Sequence, residues 1–393
     1  MKKRFLFNTI KKYIDHKNAL VITGMRQVGK TTLMKQIFDE ITAPKLWFDF
    51  DNPLDMLFFE EIDYNKIFQK LKNQAKATGD RIFVFIDEIQ NLPEITKIIK
   101  FHIDHYNLKY IVSGSYNYYL KNLFPESLSG RKFLFILPPL SFQEYLYFND
   151  KAQPGDLIPD FKEIVINQNR TGFEQRSLDY NNYIEFGGFP EVVLTKDVEI
   201  KKAVLKNIFA SFFEKDIKIL TDIKDVRELR DLILLLVPRT GNILDITKLA
   251  SELGVNRVKI YNYLEFLEGV FFLQLIPKFS RSIDRSIAGG KKVYFADTGI
   301  LNVIGKVNDG QLFENAVANQ IKLYGNLSFY NQRNTAEIDF ILNNETAFEV
   351  KLTATEKNLI RTKQLAEKIG IKQSFLISRN YCNLENTIFP MFI

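Results

Sequence analysis

Eight residues, Gly24-Met25-Arg26-Gln27-Val28-Gly29-Lys30-Thr31, constrain this chain more than any other stretch. They follow a five-residue apolar run, Ala19 to Thr23, and lead into a helical pattern from Thr31 to Phe38. A buried strand, a glycine-bearing turn and a helix, in that order, are the context of a phosphate-binding loop. Glycine lets the backbone curl until its N–H groups converge on an anion. The helix start adds the positive end of its dipole. Lys30 is expected on the β and γ phosphates and the Thr31 hydroxyl on Mg²⁺, with Gly24 through Thr32 enclosing the nucleotide. The expected cofactors are therefore ATP and Mg²⁺.

Short apolar runs alternate with helical patterns up to about residue 150, at Lys45–Phe50, Ile82–Ile86, Lys109–Ser113 and Lys132–Leu137, the last stopped by Pro138-Pro139. This alternation predicts a parallel α/β sheet. The run Ile82–Ile86 delivers Asp87 and Glu88 to its C-terminal end, the edge where open α/β sheets bind ligands. Asp87 is expected to hold Mg²⁺ through water and Glu88 to act as general base on the attacking water. An acidic pair also suits an ordinary helix start, so the catalytic reading depends on the loop at 24–31. Ser115, or Ser113, at the end of the next strand fits a polar sensor of the γ-phosphate. Arg131, in Ser129-Gly-Arg131, is a candidate for stabilising transition-state charge, in its own subunit or in a neighbour.

The balance of 53 Lys and Arg against 47 Asp and Glu gives net +6 and a pI near 9.0. Such a charge suits nucleic acid or an anionic surface. The abundance of Lys, Phe, Ile, Asn and Tyr equally reflects an AT-rich genome, so charge is weak support. The lone cysteine, Cys382, allows no intrachain disulfide and no cysteine-based zinc site, and fits a reducing compartment. His102 and His105 share a helix face without a catalytic zinc motif, which suits a structural or surface role. No stretch approaches the ~20 apolar residues of a membrane span. The segment MKKRFLFNTIKK starts like a signal peptide, but Asn8 and Lys11-Lys12 interrupt it and it reads as an amphipathic helix. A cytoplasmic protein without a membrane span is expected.

Beyond residue 141 the chain reads as mostly helical to about 235, with a polar stretch, Ala152–Asn169, read as a mobile insertion. A helix over Ile246–Leu253, the turn Gly254-Val-Asn256 and a helix over Arg257–Leu267 follow, with Asp245 and Asn256 as N-caps. Val258, Tyr261, Leu264 and Leu267 are assigned to the inward face. Strands at Val270–Ile276 and Lys292–Phe295, with basic Lys278, Arg281 and Arg285 between, complete a winged-helix plan. Arg257 and Lys259 accompany Glu265 and Glu268 on the second helix. This mixed field leaves DNA reading and protein contact both open.

Further on, Ile338-Asp339-Phe, the turn Asn343-Asn344 and Ala347-Phe-Glu349-Val-Lys351 predict a hairpin. Strand periodicity puts Glu349 and Lys351 on one face. Asp339 can meet them from the neighbouring strand, and Glu314, in the helical run Leu312–Leu323, can add a fourth group. The set resembles the restriction-endonuclease-like PD-(D/E)xK constellation. That resemblance implies acidic oxygens around Mg²⁺ and a lysine that orients water. Glu-x-Lys is equally common on an exposed hairpin face.

Taken together, Gly24–Thr31, Phe85–Gln90, Val112–Ser115, Ser129-Gly-Arg131 and Leu137-Pro-Pro-Leu-Ser141 resemble a group of prokaryotic AAA+ ATPases. Their usual C-terminal partner is a region of unknown function. Gly187-Gly-Phe-Pro-Glu191 resembles the lid hallmark of that group, and Phe295-Ala-Asp-Thr-Gly299, Ile338-Asp-Phe and Phe348-Glu-Val-Lys351 resemble motifs of the partner region. The resemblance covers essentially the whole chain. It implies an α/β architecture with a P-loop AAA+ core at 1–150, a helical lid at 151–235, a winged-helix-like module at 236–290 and a restriction-endonuclease-like α/β domain at 291–393. One departure is that no arginine stands out as a lid sensor. Three classes of function follow: an ATPase coupled to C-terminal DNA- or partner-binding modules, an ATP-regulated Mg²⁺-dependent nuclease, and a non-hydrolysing nucleotide switch that recruits a protein. A homo-oligomer is a further expectation.

Overall fold

The computed structural model describes residues 2–79, 81–114, 130–155, 160–213, 223–281, 289–332 and 336–393. Ser115, Ser129 and Arg285 lie outside the described residues. The chain divides into two compact units, Met1–Pro138 with Gly269–Phe271, and Pro139–Glu268 with Phe272–Ile393. No helix among the described residues is long and apolar enough to cross a membrane.

The first unit is built on β1 (Ala19–Thr23), β2 (Lys45–Asp49), β3 (Ile82–Asp87), β4 (Leu108–Gly114) and β5 (Lys132–Ile136). They form one parallel sheet in the order β2-β3-β4-β1-β5. The three inner strands are buried along their whole length, whereas the edge strands β2 and β5 are partly exposed. Strands covered on both faces need continuous apolar runs, and edge strands do not. Helices Lys30–Glu40, Tyr64–Gln74 and Ile95–His105 connect the strands. Ile67, Leu71, Ile95, Ile98 and Ile99 pack with Val21, Phe48, Val84 and Val112 from the sheet. Parallel strands bring their C-terminal ends to one edge, so the turn after β1, the carboxylates after β3 and the serine of β4 gather there. Upstream lies the expected short amphipathic helix, Leu6–Lys11, with Phe7 and Ile10 buried. His102 is structural, as expected: its Nδ1 meets the Tyr110 hydroxyl at 2.6 Å and its Nε2 the Tyr64 carbonyl at 2.8 Å. Burial pushes its pKa down to about 4.

Among the described residues, the second unit begins with six helices, Phe142–Phe148, Phe161–Asn167, Arg170–Phe186, Pro190–Leu194, Val198–Ser211 and Ile223–Leu236. Next come the helix pair Ile246–Leu253 and Arg257–Gly269 and the antiparallel strands β6 (Leu273–Pro277) and β7 (Lys291–Phe295). After helices Thr298–Ile304 and Asp309–Ile321, β8 (Leu327–Gln332), β9 (Ala336–Leu342) and β10 (Thr346–Lys351) form an antiparallel meander. Helix Glu356–Lys368 then leads to β11 (Gln373–Ser378) and β12 (Thr387–Ile388), which extend the sheet in parallel from β10. The β9–β10 hairpin turns through Asn343 and Asn344, both at positive φ, as their sequence signal predicts.

Phe142, Tyr145, Phe161, Ile164, Tyr180 and Val193 share one apolar core with Phe313, Phe340, Phe348, Phe375 and Ile393. The expected boundaries at 150, 235 and 290 therefore do not coincide with the compact units. The main segment of the first unit ends at Pro138, and helices that follow it pack into the same core as the C-terminal sheet. The stretch read as a mobile insertion holds the helix Phe161–Asn167, capped by Asp160, with Phe161 and Ile164 buried. The inward face assigned to Arg257–Leu267 also needs correcting. Leu264 and Leu267 are buried together with Ile260 and Tyr263, but Val258 is 67% and Tyr261 59% exposed. An unbroken i+3 series slips backward by about 60° per step on a helix of 3.6 residues per turn, so four members wind from one face to the other.

Two motifs distant in sequence interlock in this unit. The buried Asp297 carboxylate accepts hydrogen bonds from the Gly188 N–H at 2.7 Å and, as N-cap of the next helix, from Ile300 N–H at 3.0 Å. A Cβ on Gly187 (φ 74) would lie 2.1 Å from that carboxylate, and one on Gly299 would lie 2.1 Å from the Phe186 carbonyl. Burial pushes Asp297 up to about 6, against the hydrogen bonds from Gly188, Ile300 and Gly299.

Candidate nucleotide site and C-terminal charge cluster

At the end of β1 the chain passes too close to β5 to carry a side chain. A Cβ on Gly24 (φ 147) would stand 2.2 Å from the Leu137 carbonyl oxygen. Gln27 (φ 62) and Gly29 (φ 96) adopt left-handed conformations, and the helix starts at Lys30. Interspersed left-handed residues turn backbone N–H groups toward a common centre, the geometry of an anion nest. The buried Lys30 arches over the loop, its ammonium donating to the carbonyls of Gly24 at 3.0 Å and Met25 at 2.8 Å. Arg4, which the sequence did not single out, braces the loop from behind. Its guanidinium donates to the Val28 carbonyl and to the Pro138 carbonyl, each at 2.8 Å.

The structure brings the Thr31 hydroxyl to 2.6 Å from Asp87 Oδ2, to which it donates. The Ser113 hydroxyl donates to Asp87 Oδ1, and the Glu88 N–H reaches the same oxygen at 3.1 Å. Asp87 is thus held from three sides. Ser113 is the serine placed against it, whereas Ser115 lies outside the described residues. Glu88 sits at φ 52 and its carboxylate accepts from the Gln90 amide. Gly114 leaves room for that amide, since a Cβ there would be 2.9 Å from Gln90 Oε1. A hydroxyl and a carboxylate beside a buried lysine are the hard oxygen donors that Mg²⁺ takes, so the residues fit that cation.

Arg131 is elsewhere. It precedes β5, and its carbonyl accepts from the N–H of Ala19, the first residue of β1. The loop follows Thr23, about four strand steps of ~3.3 Å away. Arg131 therefore stands at the opposite edge of the sheet, where its Nε donates to Asp104 at 2.7 Å. The same-subunit role expected for it does not fit this placement.

In the second unit, the structure gathers Glu314, Asp339, Glu349 and Lys351. The β9–β10 ladder runs as far as Phe340 and Phe348. Beyond it the Asp339 carboxylate takes over a backbone partner, accepting from Val350 N–H at 2.8 Å. Lys351 Nζ lies 2.7 Å from Glu349 and 3.8 Å from Asp339. The sequence reading missed three further members. Lys292 of β7 places its Nζ 2.7 Å from Glu337, 3.5 Å from Glu314 and 3.8 Å from Asp339, and Tyr294 donates to Glu314 at 2.6 Å. Burial pushes both Glu314 and Glu349 up to about 7. Burial alone would lower Lys292, but Glu314, Asp339 and Glu337 outweigh it and keep the ammonium charged. Among the described residues, no group of three or more His, Cys, Asp or Glu side chains is arranged to hold a metal ion. The cluster as it stands does not fit a divalent cation.

Residues 16–146 match the AAA domain family, residues 177–311 a domain of unknown function (DUF8612) and residues 309–390 another (DUF4143). An uncharacterized protein of Methanocaldococcus jannaschii is 26% identical over 364 residues, spanning 88% of this chain and 78% of that protein. One of Haemophilus influenzae is 27% identical over 373 residues, spanning 89% and 88%. Among solved structures, the Walker-type ATPase of Pyrococcus abyssi aligns with a TM-score of 0.49 at 13% identity, over 76% of this chain and 94% of that one. With its phosphate-binding loop, acidic strand end and parallel sheet, the segment 16–146 is an AAA-type P-loop domain.

Proposed function

We propose that the chain is a Mg²⁺-dependent ATPase whose nucleotide state governs a partner-binding second unit. The observation that carries this reading is Asp87, fixed between the Thr31 and Ser113 hydroxyls at the mouth of the phosphate-binding loop. The backbone of Gly24 through Thr32 grips the triphosphate, and Lys30 exchanges the Gly24 and Met25 carbonyls for phosphate oxygens. Thr31 and Asp87 would hold Mg²⁺, which would supply neutralisation of the phosphate charge. Glu88 takes the proton from the attacking water once its carboxylate turns from the Gln90 amide. Ser113 keeps Asp87 aimed at the loop. Arg131, at the far edge of the sheet, serves the nucleotide of a neighbouring copy.

For the second unit, the helix pair 246–269 followed by the antiparallel pair β6–β7 supports a winged-helix-like module. The exposed Val258 and Tyr261 on its second helix suit a protein partner better than a phosphate backbone. ATP turnover by wild type, Lys30→Ala and Glu88→Gln, each with and without DNA, tests the assignment. Wild-type turnover with loss in both variants supports it. Normal hydrolysis by Lys30→Ala rules it out, and stimulation by DNA moves the partner from protein to nucleic acid.

A further inference from the structure

We propose that Lys292 is the resident cation of the C-terminal carboxylate cluster and keeps divalent metal out of it. Four carboxyl groups, Glu314, Glu337, Asp339 and Glu349, converge in the second unit, and two ammonium groups face them. Lys351 sits at the rim, its side chain 35% exposed, and pairs with Glu349. Lys292 comes from beneath, its side chain only 4% exposed, and reaches three of the four carboxylates. Its backbone is fixed by pairing with Ile276 across β6–β7 and with Ile243 in an isolated bridge. The Phe329 ring stands 5.4 Å from the ammonium. The stem of Lys292 is thus buried, and its ammonium lies among the carboxylates.

Glu314 and Asp339 both point at that ammonium, and a divalent cation shared by them would need oxygen distances of about 2.0–2.6 Å. Such an ion would sit against the positive charge of Lys292, which repels it. Three of the four carboxylates have partners within the cluster: Glu314 accepts from Tyr294, Asp339 from the Val350 N–H, and Glu337 pairs with Lys292. Glu349 pairs with Lys351 through Oε1, and its Oε2 is buried without a hydrogen-bond partner. Lys292 thus supplies the positive charge that a cation would bring to Glu314 and Asp339, and it ties β7 to β9 and to the helix Asp309–Ile321. This inference is independent of the ATPase reading, which concerns the other unit.

The test is Mn²⁺ titration of the nucleotide-free full chain, read by electron paramagnetic resonance as bound ions per chain. It compares wild type, Asp339→Asn, Lys292→Gln and the double variant Lys292→Gln/Asp339→Asn. Wild type and Asp339→Asn should bind the same number of ions. Lys292→Gln should gain one, and the double variant should lose it again. Loss of a bound ion in Asp339→Asn alone overturns the proposal, and so does a folded Lys292→Gln that gains none. Should Lys292→Gln fail to fold, the wild-type and Asp339→Asn pair still decides, because any ion lost there shows that metal enters with the lysine in place.

Discussion

Replacing Arg4 by alanine removes a guanidinium that donates to both the Val28 and Pro138 carbonyls at 2.8 Å, with Arg4 itself buried. A buried carbonyl left without its partner costs about 1–3 kcal/mol, so the two together should destabilise the first unit by about 2–6 kcal/mol. For a domain near 140 residues, ~1 kcal/mol moves the melting temperature by about 4 °C, which puts the expected fall at about 8–24 °C. The Val28 carbonyl belongs to the phosphate-binding loop, so part of that loss falls on its order. Each ~1.4 kcal/mol needed to re-form the loop weakens nucleotide binding tenfold. Arg4 touches no reacting atom, so KM for ATP should rise by about tenfold or more while kcat at saturation stays within a few-fold. Arg4→Lys, whose single ammonium cannot span both carbonyls, should fall between wild type and alanine. Steady-state ATPase kinetics and thermal melting of the three proteins decide it. An Arg4→Ala protein with the wild-type KM and melting temperature refutes the bracing role.

Other perturbations separate the remaining parts. Glu88→Gln should lower kcat by about 10²–10⁴-fold while fluorescent-nucleotide binding is retained. Gly24→Ala forces a Cβ against the Leu137 carbonyl at an unfavourable φ; nucleotide binding should vanish and urea denaturation should report a loss of at least ~3 kcal/mol. Glu314 and Glu349 have folded pKa values raised to about 7 from an ordinary 4.5. The folded state therefore holds protons that the unfolded chain releases, and their contribution, fully present below about pH 4.5, is lost as pH rises through about 7. Melting temperatures between pH 5 and pH 8 should fall less steeply in Glu349→Gln than in wild type, and an identical slope would contradict the burial of that carboxyl.

The first unit was the most legible because its signals are local. A central parallel strand writes itself as a continuous apolar run, and Ile82–Ile86 was placed to within a residue. The loop at 24–31 carries its conformational demands in its own glycines. What escaped depends on partners brought from far away. Arg4 and Lys292 look like ordinary surface cations in a basic chain until the fold buries them. Val258 and Tyr261 misled because apolar residues three apart drift around a helix, and only Ile260 and Tyr263, which complete the i+3/i+4 stripe, reveal the buried side. The sheet edge of β5 explains Arg131 in the same way: sequence puts it near a strand, but only the parallel register with β1 shows which end of the sheet it occupies.

The shared core of the second unit sets an order on how the chain can mature. Phe142 and Tyr180 are made early, yet they pack with Phe375, Met391 and Ile393, and the Gln143 amide donates to the carbonyls of both Met391 and Ile393. At ribosomal speeds of about 5–20 residues per second, roughly 10–50 s pass between the two ends of that core. During this interval the first unit can fold, while the aromatic helices beyond Pro139 wait with their apolar faces uncovered. Newly made chains are thus most vulnerable to aggregation and proteolysis between those two moments, and a chain that stalls short of Met391 would leave its helices unclosed.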